Sequence, residues 1–289
     1  MKPNFFIVGG TKSATTNISY YLDQHEKVYV SKLNEPYYYC RFDVPLNFKR
    51  DSMIKNEKDY LKLFEKAQNQ IAIGEASSVY LHCPTAPKAI NEDNNSSKII
   101  IVIRNPIDKC FSSYFSYKFM NLDKRSFDEK INFYEKQIEN NEFDIYNFLE
   151  QGFFSKHIKN YFQTIQKNRI KILFFEDYIK DEKKYINQLW NFLGIHEPIE
   201  LKLVSKNSYR IPKNIIAKKL LSNRNFRNIS TKLIPTIKRQ QIGEKFFVKQ
   251  TKIPKMMPEQ RLRLKEFFKN EYEELSKLLN QNPPWIDFD

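Results

Sequence analysis

The sequence predicts an α/β protein with a central, mostly parallel sheet and helices on both faces. Three observations carry this. Short apolar runs alternate with segments of helical periodicity along most of the chain. Lys98–Ile99–Ile100–Ile101–Val102–Ile103 is a β-branched run suited to the middle of a parallel sheet. The first twenty residues read strand, small-residue loop, helix, the order in which α/β proteins bind phosphate.

The elements follow in chain order. Phe5–Phe6–Ile7–Val8 is long enough for a buried strand, and Ile18, Tyr21 and Leu22 stand at helical spacing. Between them lies Gly9–Gly10–Thr11–Lys12–Ser13–Ala14–Thr15–Thr16. Backbone N–H groups of such a loop and the helix N-terminus converge on an anion, and Lys12 adds a full charge. The Walker nucleotide loop needs four residues between two glycines and then Lys–Ser/Thr. That spacing does not occur here. A Gly-Gly turn with a solvated Lys12 would also join a strand to a helix, so the loop alone leaves both readings open.

Val28–Tyr29–Val30 predicts a short strand leading to Asn34–Glu35–Pro36–Tyr37–Tyr38–Tyr39. Pro36 should hold Glu35 extended, with the three tyrosines as an aromatic wall beside it. A carboxylate flanked by aromatics suits a general base, because partial desolvation raises its affinity for a proton. The alternative is a solvated glutamate on a surface loop.

Within the polar stretch 45–70, Tyr60, Leu61, Leu63 and Phe64 mark an amphipathic helix. Ile71–Ala72–Ile73–Gly74–Glu75–Ala76–Ser77–Ser78 reads as a strand ending in small polar residues. Pro84–Thr85–Ala86–Pro87 opens another helix, and 91–97 is a polar turn. The strand Lys98–Ile103 ends in Arg104–Asn105–Pro106, with Pro106 placed for the first turn of a helix. Arg104 therefore emerges at a strand's C-terminal edge, where open α/β sheets bind ligands. Ser112, about two turns into that helix, can hold a second phosphate with Arg104; a structural cap is the alternative role for the arginine.

Residues 120–150 read as charged and helical, and a further helix runs from Gly152 through Phe162. Ile170–Phe175 is a strand with an acidic exit at Glu176 and Asp177. Leu189, Trp190, Phe192 and Leu193 form a helix closed by Gly194. Residues 205–255 are basic and irregular, and 258–280 make one amphipathic helix.

A chain of 289 residues can bury a sizeable core, here expected as one domain over 1–289, with the basic region and C-terminal helix (205–289) packed on it. The formal net charge of +14 implies an anionic partner: a nucleotide, a polyanion or nucleic acid. Cys40, Cys83 and Cys110 are few, odd in number and without CxxC spacing, which argues against a disulfide framework and a structural zinc site. No apolar leader precedes the first strand, and no run approaches the ~20 apolar residues of a membrane span. The chain reads as soluble and cytoplasmic; a catalytic domain cut from a membrane-anchored parent is the lesser expectation.

Together these segments resemble the adenosine 3′-phosphate 5′-phosphosulfate (PAPS)-dependent sulfotransferases. The likeness is nearest to the carbohydrate branch with the heparan sulfate enzymes and their bacterial relatives. Lys12-Ser13-Ala14-Thr15-Thr16 is similar to the family's K-x-G-T-T/S loop for the 5′-phosphosulfate. Arg104-Asn105-Pro106 and Ser112 fit its 3′-phosphate motif. Asn34-Glu35-Pro36-Tyr37-Tyr38-Tyr39 echoes K-E-P-x-[FY]-[FY], and Gly74-Glu75-Ala76-Ser77-Ser78-Val79-Tyr80 echoes G-E-x-S-P-x-Y. Phe175-Glu176-Asp177, Phe192-Leu193-Gly194 and Trp285 also match, so residues 4–200 are covered well and the remainder loosely.

The resemblance implies a P-loop-like three-layer α/β/α arrangement and in-line sulfuryl transfer from PAPS to a hydroxyl or amine, leaving adenosine 3′,5′-bisphosphate, without a metal. Lys12 would stabilise the leaving group. Thr11, Ser13, Ala14, Thr15, Thr16 and Asn17 would hold the 5′-phosphate, largely through backbone N–H groups of 13–17. Arg104 and Ser112 would grip the 3′-phosphate. Glu35 is the candidate base and His82 the second candidate. The cofactor-closing loop is expected in Asn207–Lys219, with Tyr209 and Lys213. The chain departs from the pattern at Ala14 (usually glycine), Asn34 (often lysine), Ser78 (often proline) and Phe154 (often tyrosine). Ala14 must make its turn without positive φ, or with strain. The acceptor is expected to be sugar-bearing or a small hydroxyl or amine compound, with no specific nucleic-acid partner. Competing readings are a P-loop kinase-like enzyme and a non-catalytic polyanion-binding protein, with a degenerate transferase between them.

Overall fold

A computed structural model describes residues 1–40, 53–119, 124–142, 144, 146–203, 209–223, 242, 246–251 and 254–288. The strands β1 (Phe5–Gly9), β2 (Val28–Val30), β3 (Ala72–Ala76), β4 (Lys98–Ile103) and β5 (Ile170–Phe174) form one sheet in the order β2-β3-β1-β4-β5. Every pairing in it is parallel.

The helices are α1 (Thr15–Leu22), α2 (Glu57–Leu61), α3 (Ala86–Asp93), α4 (Pro106–Phe119) and α5 (Phe127–Glu139). They continue with α6 (Phe154–Thr164), α7 (Phe175–Lys180), α8 (Glu182–Leu193), α9 (Ile215–Ser222) and α10 (Pro258–Leu279). Alternation along β1 sorts the core into two layers. Phe5 and Ile7, with Ile100 and Val102, pack against Ile18 and Leu22 of α1 and Ile186, Leu189 and Trp190 of α8. Phe6 and Val8, with Ile99, Ile101 and Ile103, pack against Ile90 of α3 and Ile158 and Tyr161 of α6. Helices on both faces make the three-layer α/β/α arrangement, in which the parallel strands are apolar on both sides. A third cluster, with Ile107, Phe127, Ile131, Leu264 and Phe268, joins α4, α5 and α10 beside the sheet.

Several elements differ from expectation. The basic region read as irregular contains β6 (Tyr209–Pro212), β7 (Val248–Thr251) and α9. β6 and β7 pair antiparallel with Tyr209 opposite Thr251, a contact between distant segments that no local pattern announces. The acidic exit of β5 is the first turn of α7, which starts at Phe175 without a loop. Helix α3 runs through Asp93, so the polar turn begins later than residue 91. Gly194 closes α8 in the left-handed conformation, as read.

The chain leaves β1 toward β2 and β3 on one side and later crosses to β4 on the other. This reversal opens a crevice at the C-terminal edge between β1 and β4, where ligands bind in such sheets. The loop after β1 and the Arg104 turn after β4 face that crevice because their strands are parallel neighbours, Ile7 opposite Ile100 and, past a bulge in β1, Gly9 opposite Ile101. No helix among the described residues is long and apolar enough to cross a membrane.

Candidate active site

The loop after β1 is tightly constrained. Gly9 has φ +148°, and a Cβ there would fall within 2.8 Å of the Ser78 carbonyl and the Leu81 side chain, so only glycine fits. Lys12 (φ 63°) and Ala14 (φ 60°) both occupy the left-handed region. Ala14 thus reaches the turn with strain, of about 1–2 kcal/mol for a residue carrying Cβ. As N-cap of α1 it has no side chain to bond the first-turn amides. One expected donor is spent internally: the Asn17 amide donates to the Ala14 carbonyl at 2.9 Å. Ser13 is buried, its hydroxyl 3.5 Å from the Thr11 carbonyl.

Arg104 locks this loop from the neighbouring strand. Its Nη1 donates to the Lys12 carbonyl at 3.0 Å while the guanidinium lies over the Phe175 ring at 4.5 Å. Lys12 Nζ donates to Ser116 Oγ at 2.6 Å, one turn beyond Ser112 on α4. From behind, the Asn105 amide donates to Glu176, and Asn105 Nδ2 donates to Asp287. Arg261 of α10 bonds both Asp287 and Asp108, tying the C-terminal segment to the Arg104 turn.

Glu35 is left-handed at φ 61°, not extended as its position before Pro36 predicts. Hydrogen bonds to the exit of β3 override the local preference. The Glu35 amide donates to the Ala76 carbonyl at 2.9 Å, and the Tyr37 amide donates to Ser77 Oγ at 3.2 Å. Both carboxylate oxygens accept from Ser78, its hydroxyl at 2.7 Å and its amide at 3.0 Å. The aromatic wall is smaller than expected. Only Tyr37 of the three tyrosines lines the cleft; Tyr38 stacks on Tyr60 at 4.2 Å, and the Tyr39 hydroxyl donates to Asp93. Asn34 reaches the loop through Thr16, Nδ2 to Oγ1 at 3.4 Å.

These groups surround one open cleft of about 530 Å³. Thr11, Lys12, Ala14, Thr15, Thr16, Asn17, Glu35, Arg104 and Ser112 all line it. Ser78, Ser113, Ser116, Tyr117, Tyr146, Gln151, Phe175 and Tyr178 line it too; the tyrosine-rich stretch 115–150 was expected to shape a cleft, but none of these residues stood out singly as a site residue. Most sit on helix faces that only the fold aims at the crevice, whereas Ser78 and Phe175 were visible as parts of quoted motifs. Among the described residues the lining runs from Thr11 to Glu182 and includes none from the expected closing segment. Residues 207–208 lie outside the described residues; Tyr209 stands in β6, and exposed Lys213 follows it, its amide donating to the Phe247 carbonyl. His82 does not line the cleft. It is buried edge-on against His157 at 4.7 Å, and burial holds its imidazole well below the usual histidine range.

The cleft is electropositive. Enclosure by its walls and the Arg104 charge push the Lys12 ammonium down to about 8; much of the lysine remains exposed to solvent, which tempers the shift and leaves it charged at neutral pH. Burial also lowers Arg104. Among the described residues no carboxylate forms an ion pair with either. The site therefore presents two cations, hydroxyls and an uncapped helix N-terminus to a ligand that must bring its own negative charge. A carboxylate stands at the other side of the same space.

Beneath it, Glu75 of β3 is fully buried and accepts hydroxyl bonds from Tyr60, Ser77 and Tyr80, at 3.2, 2.7 and 2.8 Å. Burial pushes it up to about 7. No three His, Cys, Asp or Glu side chains among the described residues gather as metal ligands.

The sequence model of the sulfotransferase domain matches residues 2–278. Carbohydrate sulfotransferase 15 of Mus musculus is 23% identical over 245 residues, covering 67% of this chain and 44% of that protein. The chain spans less than half the length of the curated relatives it matches, from 25% to 44%. Among solved structures, a sulfotransferase from Alicyclobacillus acidocaldarius superposes with a TM-score of 0.73 at 23% identity, covering 98% of this chain and 97% of that one. Mouse sulfotransferase SULT7A1, solved in complex with PAP, gives a TM-score of 0.52 at 13% identity over 96% of this chain and 87% of its own. Both likenesses are of fold.

Proposed function

Because the chain belongs to the sulfotransferase domain family, we propose that it moves a sulfuryl group from PAPS to a hydroxyl or amine of a carbohydrate-containing acceptor. The observation that carries this reading is the meeting of Lys12 and Arg104 across one cleft, with Glu35 on the same space. Two cations without carboxylate partners among the described residues, beside an α1 N-terminus that has no side-chain cap, fit a ligand with two anionic ends. The PAP-bound mouse neighbour supports a nucleotide of that class.

PAPS supplies an activated sulfuryl group whose departure leaves a phosphate oxygen bearing charge. Lys12 Nζ, free to leave Ser116 Oγ, neutralises charge that develops on that oxygen. The amides and hydroxyls of Thr15 and Thr16 hold the 5′-phosphate, and Arg104 with Ser112 holds the 3′-phosphate. Glu35 takes the acceptor proton. Ser78 fixes both carboxylate oxygens, so the base is aimed before the acceptor arrives. Such transfers rest mainly on positioning and charge stabilisation, which is what this chain provides.

The similarity to carbohydrate sulfotransferase 15 supports a sugar acceptor. So do Tyr117 and Tyr146, whose rings meet edge to face at 5.7 Å in the cleft wall. Incubation with sulfur-labelled PAPS and a panel of oligosaccharides and small alcohols tests the reading. Label should pass to a sugar and adenosine 3′,5′-bisphosphate should accumulate. Salt-sensitive polyanion binding without transfer to any acceptor would replace it with a binding role.

A further inference from the structure

Below the anion loop lies a charge that the mechanism above does not use. Lys109, on the first turns of α4, is fully buried with 0% exposure. Its ammonium donates to Gln151 Oε1 at 3.0 Å and approaches the Phe148 carbonyl at 3.5 Å. Gln151 Oε1 also accepts from Thr11 Oγ1 at 2.8 Å, and both Gln151 and Thr11 line the cleft. No carboxylate among the described residues pairs with Lys109. The charged or titratable groups that face it are Lys12 from the loop, Arg104 from the β4 exit, Cys110 on its own helix, and the imidazoles of His82 and His157. Burying a cation among other cations is costly unless a negative charge arrives to balance it.

We infer that Lys109 is a third fixed positive charge of the anion site, a positioning residue that acts on the bound anion from beneath through Gln151 and Thr11. It holds the Gln151 carbonyl oxygen toward the protein, which fixes the Thr11 hydroxyl at the mouth of the loop. Its field adds to that of Lys12 and Arg104 in a partly desolvated space where screening is weak. Burial and those two cations push its ammonium down to about 8 in the free protein. An anion in the cleft should raise it again. The inference rests on the doubly phosphorylated nucleotide of the proposed function.

Calorimetric titration of the full chain tests it, with adenosine 3′,5′-bisphosphate and with adenosine as an uncharged control. Lys109→Met should weaken the bisphosphate by about tenfold, the scale of one poorly screened charge, and leave adenosine unchanged. An unchanged bisphosphate affinity, or an equal loss for both ligands, would overturn the role. Should Lys109→Met not fold, the wild-type protein and Lys12→Ala decide through proton uptake, read from titrations in buffers of different ionisation heat. At about pH 8.5 binding should take up protons, and part of that uptake should persist in Lys12→Ala, where Lys109 is the buried ammonium left to accept them. Uptake that vanishes in Lys12→Ala would overturn it. Wild-type protein that binds no bisphosphate would remove the nucleotide reading itself, an outcome distinct from a silent Lys109.

Discussion

Arg104 Nη1 donates to the backbone carbonyl of Lys12 at 3.0 Å. Two residues far apart in the chain, on turns that follow neighbouring parallel strands, thereby share one hydrogen bond and one cleft. The two proposed phosphate contacts are thus parts of one rigid unit, and a shift in either moves both.

Lys12→Ala should lower turnover on the order of 10²–10³-fold with a much smaller change in KM, since its charge is required mainly as the leaving group departs. Steady-state kinetics with saturating acceptor measures this. A loss confined to KM would place Lys12 in ground-state binding alone.

Arg104→Ala should weaken adenosine 3′,5′-bisphosphate by roughly tenfold to a hundredfold, and adenosine 5′-phosphate far less, as expected for one charged hydrogen bond. Competition binding with the two nucleotides separates them. Equal weakening would mean that the arginine acts only through the Lys12 carbonyl.

Glu35→Gln should abolish transfer while nucleotide affinity stays within about twofold, the behaviour of a base that does not touch the donor. Ser78→Ala removes one of two bonds to the carboxylate and keeps the amide, so a milder loss of roughly tenfold is expected. If Ser78→Ala were as severe as Glu35→Gln, the serine itself would be handling the proton.

Glu75 makes stability depend on pH. Burial raises its carboxyl from an ordinary 4.5 to about 7, so between those values the folded chain binds more protons than the unfolded one. Its contribution is complete below the lower value and is lost as pH rises through the upper one. Buried His157, held down to about 4, acts in the opposite sense over part of this range, so the comparison must be differential. Denaturant unfolding should show wild type losing about 3 kcal/mol relative to Glu75→Gln between roughly pH 4.5 and 8. A pH-independent difference would show that the carboxyl titrates normally.

Local pattern disclosed the parts of the site that one segment makes by itself. The loop after β1, Arg104 at the end of a β-branched strand and Ser112 on the following helix all line the cleft as their spacing implied. What escaped were partnerships between segments. Ser78 clamps Glu35, and Gln151 joins Thr11 to Lys109, through contacts that exist only once β3, α4 and the turn before α6 are assembled. Glu35 violates its pre-proline preference because four hydrogen bonds from the β3 exit fix the turn. Tyr38 and Tyr39, polar enough for a cleft, were drawn into the core by Tyr60, and His82 went the same way beside His157.

Titration with adenosine 3′,5′-bisphosphate beside adenosine 5′-phosphate and adenosine 3′-phosphate tests the central claim most directly. One bisphosphate should bind per chain, with each single phosphate markedly weaker, and Arg104→Ala should erase the advantage that the 3′-phosphate confers. Binding that ignores the 3′-phosphate, or none at all, would contradict the claim that this cleft clasps a nucleotide at both ends.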